Sequence, residues 1–292
     1  MELLIIVKNV IKNGCIYVVA TPIGNLGDVS NRSIEILGKV DYVAAEDTRN
    51  TSNFLSHFQV SAKLISLHEH NEVNQSKKII KDVLKGMSIA IVSDAGTPAI
   101  NDPGYRLISL AHQNEIKVIP LPGPCSVISA LSVSGLPSDR FCFEGYLPAK
   151  RELRKSKLKE LIEEERTMIF LVSVHKIHLV IEDMMSIFGE SRLVFLAREM
   201  TKIFEQSIKT NLKELSLMIA SGQIPKKGEF VVVLSGVIVR KNNLALAKEL
   251  LDELIKINLS SKAVDIVTRV TKEKRNKIYK LMLEMRADHE SK

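Results

Sequence analysis

A chain of 292 residues is long enough for two core-containing domains and a tail. It is 45% hydrophobic and 26% charged, as a globular protein is, and no run approaches the roughly 20 apolar residues that cross a membrane. Cys15, Cys125 and Cys142 are widely spaced without a C-x-x-C pair, which supports neither a disulfide framework nor a zinc knuckle, while a net charge of +7 favours polyanionic partners. Reduced thiols and a cytoplasmic location are the expectation.

The opening residues 1–10 hold an apolar run, L-L-I-I-V, with a Lys directly after it and no basic start, so they read as a short extension and not a signal peptide. Strand-like runs then recur at 15–20, 40–45, 63–67, 89–93 and 117–121 with helical segments between them. That alternation predicts a mostly parallel sheet with helices on its faces. The first run feeds T-P-I-G-N-L-G-D, where Pro22, Gly24 and Gly27 force a tight turn. The second closes on E-D-T-R. Its carboxylates and Arg sit where a sheet turns to solvent or ligand, and Asp47 or Thr48 equally fits as N-cap of a helix over 49–58. L-H-E-H-N-E at 67–72 contains H-x-H but no third ligand at a recognised spacing, so no metal site is expected.

The fourth run ends in V-S-D-A-G-T-P-A-I-N-D-P-G, the stretch around which the chain is organised. Such a loop lies at the carboxyl end of a strand, where open α/β sheets bind ligands, and Gly96 lets backbone approach a ligand closely. Ala95 and Thr97 are small beside it. An ordinary strand-to-helix turn leading into a helix over 105–112 fits the same pattern. Neither glycine-bearing loop matches G-x-G-x-x-G or G-x-x-x-x-G-K-[ST], which disfavours dinucleotide and P-loop nucleotide binding.

L-P-G-P-C-S at 121–126 reads as a hinge, followed by an apolar helix through 133. Strand-like runs resume at 141–146, 168–173, 193–197 and 230–239. Two polar motifs flank them: A-R-E-M-T-K at 197–202, which also fits a salt-bridged turn, and K-G-E at 227–229. A basic run, K-R-E-L-R-K-S-K-L-K, occupies 150–159. From Leu244 the period turns helical, Ser260 and Ser261 interrupt it, and segments at 263–270 and 273–285 follow, with Arg269, Lys272, Lys274, Arg275, Lys277 and Lys280 across their junction. Residues 236–292 hold 13 Lys/Arg against 8 Asp/Glu. Each basic stretch fits a solvated helix face, and each suits nucleic-acid phosphates. The expected division is 1–122, 123–240 and a basic helical tail at 241–292.

Taken together, Y-V-V-A-T-P-I-G-N-L-G-D, A-A-E-D-T-R, L-H-E-H-N-E, V-S-D-A-G-T-P-A-I-N-D-P-G, P-L-P-G-P-C-S, G-Y-L-P, A-R-E-M-T-K and K-G-E-F closely resemble the ribosomal RNA small subunit methyltransferase I family of the tetrapyrrole methylase superfamily. The resemblance runs in order over 16–283. It implies two α/β domains with a cofactor cleft between them and a small helical domain after them. It further implies S-adenosyl-L-methionine as cofactor, 2'-O-methylation of a cytidine in the decoding region of 16S rRNA, and a homodimer. Carried over by motif, cofactor contacts fall on Pro22, Gly24, Asp94, Ala95, Gly96, Thr97, Pro98, Pro122, Gly123 and Ser126. Substrate-side polar groups fall on Asp47, Arg49, Arg198, Glu199 and Lys202, with Glu199 or Asp47 as proton acceptor and Lys202 or Arg198 stabilising negative charge. At one place the chain departs: Leu171-Val172 precedes Ser173-Val174-His175-Lys176 where similar proteins carry Tyr-Glu. Two other readings keep the fold. One makes the substrate a tetrapyrrole, against which the basic tail, E-D-T-R and A-R-E-M-T-K argue; the other is a ribosome-binding protein with an inactive cleft, which the Leu171-Val172 departure suggests.

Overall fold

Apolar runs become strands here where both faces of a sheet are covered. In a computed structural model that describes residues 14–237, 243–256, 260–271 and 273–290, β1 (Cys15–Val19), β2 (Tyr42–Ala45), β3 (Leu64–Ser66), β4 (Ser88–Val92) and β5 (Lys117–Leu121) form one parallel sheet in the order β3-β2-β4-β1-β5. The expected extension at 1–10, Lys272 and the end of the strand expected to reach 239 lie outside the described residues. Neighbours along a strand serve opposite layers. Ile16, Ile89 and Ile91 pack with Ile79, Leu107 and Ala111, whereas Tyr17, Val19, Ala90 and Val92 pack with Ile36, Leu37 and Leu55.

Four helices supply those layers: α1 (Asn31–Leu37), α2 (Thr48–His57), α3 (Glu72–Leu84) and α4 (Tyr105–Gln113). Local chemistry sets the starts of the first two. The Ser30 side chain accepts from Ser33 N–H, and the Asp47 carboxylate accepts from Arg49 N–H, so Asp47 is the N-cap of α2.

The second sheet, in the order β6-β7-β10-β8-β9, is mixed. It holds β6 (Phe141–Tyr146), β7 (Thr167–Val172), β8 (Leu193–Arg198), β9 (Gln206–Asn211) and β10 (Phe230–Leu234); only β6 and β7 are parallel. On one face it packs α7 (Ile177–Phe188) and α8 (Leu212–Ala220), through Phe170, Val232, Ile181 and Leu215 among others. The other face receives α5 (Ser126–Ser134), whose Val127, Ala130 and Leu131 meet Ile169, Phe195 and Val231. So the helix that follows the P-G-P-C hinge belongs to the second sheet's core.

The sequence pattern misses β9. Q-S-I-K-T-N has no apolar run because β9 is an edge strand paired on one side only, and its one signal is Asn211 capping α8 at Glu214 N–H. The chain divides into two compact units, Met1–Gly236 and Val237–Lys292, and both sheets belong to the first. The second consists of α9 (Asn243–Lys256), α10 (Ser260–Thr271) and α11 (Arg275–Glu290) around Ala247, Leu251, Val267, Ile278 and Met282. Ser260 and Ser261, expected to interrupt the helical pattern, begin α10.

Candidate active site

Three loops leave the carboxyl ends of β1, β4 and β5, and hydrogen bonds to backbone carbonyls join them. Thr21 and Gly96 exchange N–H to carbonyl bonds of 2.9 and 3.0 Å, and Thr21 Oγ1 donates to the Ser93 carbonyl. Thr97 Oγ1 donates to the Pro124 carbonyl at 3.0 Å. A Cβ on Gly123 would stand 2.8 Å from Ala20 Cβ, so only glycine lets the hinge pass β1 this closely. Asp94 ties in the E-D-T-R motif: its carboxylate accepts from Asp47 N–H at 3.1 Å and Asn50 Nδ2 at 2.9 Å, while its own N–H donates to Glu46.

These loops form one wall of a cavity of about 470 Å³ whose other wall comes from the second sheet. Asp94, Ala95, Gly96, Thr97 and Ser126, all expected from sequence, line it; opposite stand Tyr146, Leu171, Val172 and Glu229. Pro22 lies with Asp94 in an adjoining cavity of about 110 Å³. Pro98 is buried beneath the loop and Pro122 is exposed at the start of the hinge. Sequence reasoning passed over Asp102, which also lines the main cavity. Burial, then the charge of Glu46, outweighs a Ser93 hydrogen bond and pushes its carboxyl up to about 6, with Asp94 adding to the rise. N-D-P-G reads as a turn, and nothing in it signals a side chain turned inward.

The loop after β8 is built differently. Glu199 and Thr201 both take positive φ, 52° and 64°, a conformation that non-glycine residues adopt only under constraint. The constraint is an ion-pair knot: Lys202 Nζ lies 3.0 Å from both Glu199 and Glu229 carboxylates, and Glu199 also accepts from Glu229 N–H at 3.0 Å. Burial pushes the Glu199 carboxyl up, but the Lys202 and Glu229 hydrogen bonds outweigh it and hold the group below the usual range. Gly228, at φ 93°, makes room for this: a Cβ there would lie 2.4 Å from Glu199 Cγ. The same loop touches the first one. A Cβ on Gly24 would meet Lys202 Cγ at 2.4 Å and Thr201 Oγ1 at 2.9 Å, and that hydroxyl is buried with no hydrogen-bond partner among the described residues.

Of the expected substrate-side groups, Glu199 and Lys202 reach the cavity's edge through Gly228 and Glu229, which line it. Asp47 and Arg49 do not line it. Arg49 clasps Asp47, holding that carboxyl down to about 2, and its own side chain is 87% exposed. Arg198 is only 6% exposed; it donates to the carbonyls of Lys227 and Phe204 and to Gln206 Oε1, and so ties the far end of its loop to the loop before β10 from beneath. The basic run is also largely ion-paired. It forms α6 (Arg151–Glu160), in which Arg154 is buried against Asp183 at 2.7 Å, Arg151 and Lys155 address the same carboxylate, and Lys157 pairs with Glu144. Four of its six cations therefore serve the fold, against the expectation of a phosphate-contacting run. Among the described residues no cluster of three or more His, Cys, Asp or Glu side chains is arranged to hold a metal.

Two α/β sheets with a cavity between their loops match known proteins. The family of tetrapyrrole (corrin/porphyrin) methylases matches residues 15–216. Among solved structures, the fold is similar to uroporphyrin-III-C-methyltransferase from Thermus thermophilus, with a TM-score of 0.53 at 16% identity over 79% of this chain and 98% of that one. It is also similar to the methyltransferase CobJ, with a TM-score of 0.56 at 15% identity over 77% and 95%. At the level of sequence, the chain is 46% identical over 276 residues to Ribosomal RNA small subunit methyltransferase I of Vibrio cholerae, covering 92% of this chain and 94% of that protein. The protein of the same name from Escherichia coli O157:H7 is 43% identical over 272 residues, covering 93% and 95%. The chain belongs to the tetrapyrrole methylase family, alongside its ribosomal RNA small subunit methyltransferase I members.

Proposed function

We propose that this protein transfers the methyl group of S-adenosyl-L-methionine to the ribose 2'-oxygen of a cytidine in the decoding region of 16S rRNA. The observation that carries this reading is near-full-length likeness to the methyltransferase I relatives, combined with the convergence of the shared motifs on one cavity. The cavity fits the cofactor. Its volume is in the range of about 300–1,000 Å³ that encloses cofactor-sized ligands. Glu46, Asp94, Asp102 and Glu229 give it an anionic lining suited to a ligand with a sulfonium and an ammonium group. In this reading Gly96, Ala95, Thr97 and Ser126 hold the cofactor along the backbone, Pro22, Gly24, Pro98, Pro122 and Gly123 shape the loops around it, and Asp94 and Asp102 face its cationic parts. When bound, the cofactor supplies an electrophilic methyl carbon, so the chain's main task is to hold the acceptor oxygen in line with it.

A ribose hydroxyl is a poor nucleophile until its proton is accepted. Glu199 is assigned that task, with Lys202 favouring negative charge on the acceptor oxygen. Arg198 acts by holding the loop that carries both. Asp47 and Arg49, clasped together at the E-D-T-R end, are assigned to the substrate's approach and not to the proton. The basic helices of residues 241–292 are assigned to rRNA phosphates within the small ribosomal subunit. The division at 122 and 240, a homodimeric state and a cytoplasmic location complete the proposal. Leu171 and Val172 line the cavity as apolar groups, and this favours one rival: a ribosome-binding protein that holds the cofactor without turning it over.

One experiment tests the reading. Labelled S-adenosyl-L-methionine is mixed with small subunits from cells lacking this gene, and ribose methylation is mapped. Label on one decoding-region cytidine is the expected result. Cofactor binding with no transfer would overturn it in favour of the rival.

A further inference from the structure

The loop between β4 and α4 carries Ile100, Asn101 and Asp102 into the cavity with Ala99 and Asn101 both at φ 66°. Such a conformation persists only where its ends are fixed. The near end is fixed by the Thr21 to Gly96 bonds and by Thr97. At the far end α4 starts from Gly104, whose φ of 126° demands glycine and leaves the helix without a side-chain cap of its own.

The cap comes from another helix. Glu72, the first residue of α3, is 6% exposed, and its Oε1 accepts from Gly104 N–H and Arg106 N–H, each at 2.9 Å. A carboxylate there satisfies two orphan donors and meets the positive end of the helix dipole. The rest of L-H-E-H-N-E builds the turn that aims it. Asn71 Oδ1 accepts from His68 N–H at 2.9 Å, and its Nδ2 donates to the Ser66 carbonyl. The loop so anchored reaches the second sheet, where a Cβ on Gly145 would lie 2.9 Å from Asn101 Oδ1.

We infer that Glu72 is a positioning residue for cofactor binding: by capping α4 from α3 it holds Asn101 and Asp102 in the cavity, and the H-E-H-N-E motif exists to place that carboxylate. The inference rests on the assignment of the cavity to S-adenosyl-L-methionine. Its test is calorimetric titration of that cofactor into wild type, Glu72→Ala and Glu72→Gln, with methyl transfer measured at saturating cofactor. Glu72→Ala should lower affinity roughly tenfold, the scale of a lost helix cap. Glu72→Gln keeps an acceptor oxygen but not the charge, and should lower affinity about threefold, with the fold intact by circular dichroism. Turnover at saturation should stay within about twofold for both, a split that a merely structural role does not produce. Should the Ala variant not fold, the Gln variant decides alone. Wild-type affinity in a variant, or turnover lost at saturation, overturns the inference. Failure of the wild type itself to bind cofactor overturns the cavity's assignment and the inference with it, and is recognised from that titration alone.

Discussion

The loop after β4 is gripped mainly at its backbone groups, by the Thr21 to Gly96 exchange and by the Glu72 carboxylate on two amides, whereas the loop after β8 is held by side chains, through Arg198 below and the Glu199, Lys202 and Glu229 knot above. Backbone cradles are rigid and chemically mild, which suits a ligand that must be gripped and not altered. An ion-pair knot concentrates charge that can be lent to a reacting group. Damage to the two loops should therefore read out differently, the first in affinity and the second in turnover.

The largest effect is predicted for the knot. Replacing Glu199 by Ala removes the assigned proton acceptor and should cut turnover on small subunits about 100- to 1,000-fold at saturating cofactor, with cofactor affinity unchanged. Turnover within tenfold of wild type would take Glu199 out of the mechanism. On the other loop, Gly96→Ala must place a side chain at φ 85° and 3.4 Å from Ile23 Cγ2. That strain, about 1–2 kcal/mol, should weaken cofactor binding roughly tenfold and leave saturated turnover intact. The comparison breaks if both variants fail in the same kinetic constant.

Acidity sharpens the same contrast. Asp102, pushed up to about 6, holds its proton more tightly folded than unfolded. Its contribution to stability is therefore complete below the usual carboxylate pKa and is lost as pH rises through about 6. Cofactor binding runs the other way, because a cationic ligand needs the carboxylate. Affinity should fall up to tenfold between pH 7 and pH 5, and binding below pH 6 should release a proton, measurable by calorimetry in buffers of different ionisation enthalpy. Asp102→Asn should bind more weakly at pH 7 and show a flat profile. A wild-type profile already flat over this range would remove Asp102 from cofactor recognition. Glu199, held below its usual range, should contribute no such step near pH 6.

Much of this was legible before the structure. Runs such as 89–92 become strands because burial on both faces demands unbroken apolar residues, and Asp94 to Thr97 reach the cavity because Gly and Pro announce a sharp exit from a strand. What was hidden depends on direction rather than composition. Asp102 and Glu72 look like any loop carboxylates, yet one turns into the cavity and the other under a neighbouring helix. Arg198 reads as a substrate group from its motif, but the chain turns it beneath the loop. Likewise Arg154 sits in a run that looks solvated, although Asp183, 29 residues away, draws it into the core.

That last case sets the smallest prediction, which separates two basic stretches of similar composition. In 150–159 the cations of Arg151, Arg154, Lys155 and Lys157 already face Asp183 or Glu144. In the helices after residue 243, Arg269, Lys274, Arg275, Lys277 and Lys280 are exposed, and where they pair, as Arg275 with Asp265 and Lys277 with Glu273, the partners are surface or near-surface groups that compete weakly with phosphate. Each phosphate contact contributes about 0.7–0.9 to the slope of log affinity against log salt. Replacing Lys274, Arg275, Lys277 and Lys280 by Ala should reduce that slope for small-subunit binding by roughly three. Lys157→Ala should change it by less than about 0.5, because that ammonium neutralises Glu144 and not a phosphate. Filter binding over a salt series measures both. A fall in slope for Lys157→Ala as large, per cation removed, as that of the tail variant would mean that α6 meets the RNA as fully as the tail does, and that the ion pair on Glu144 opens when it binds.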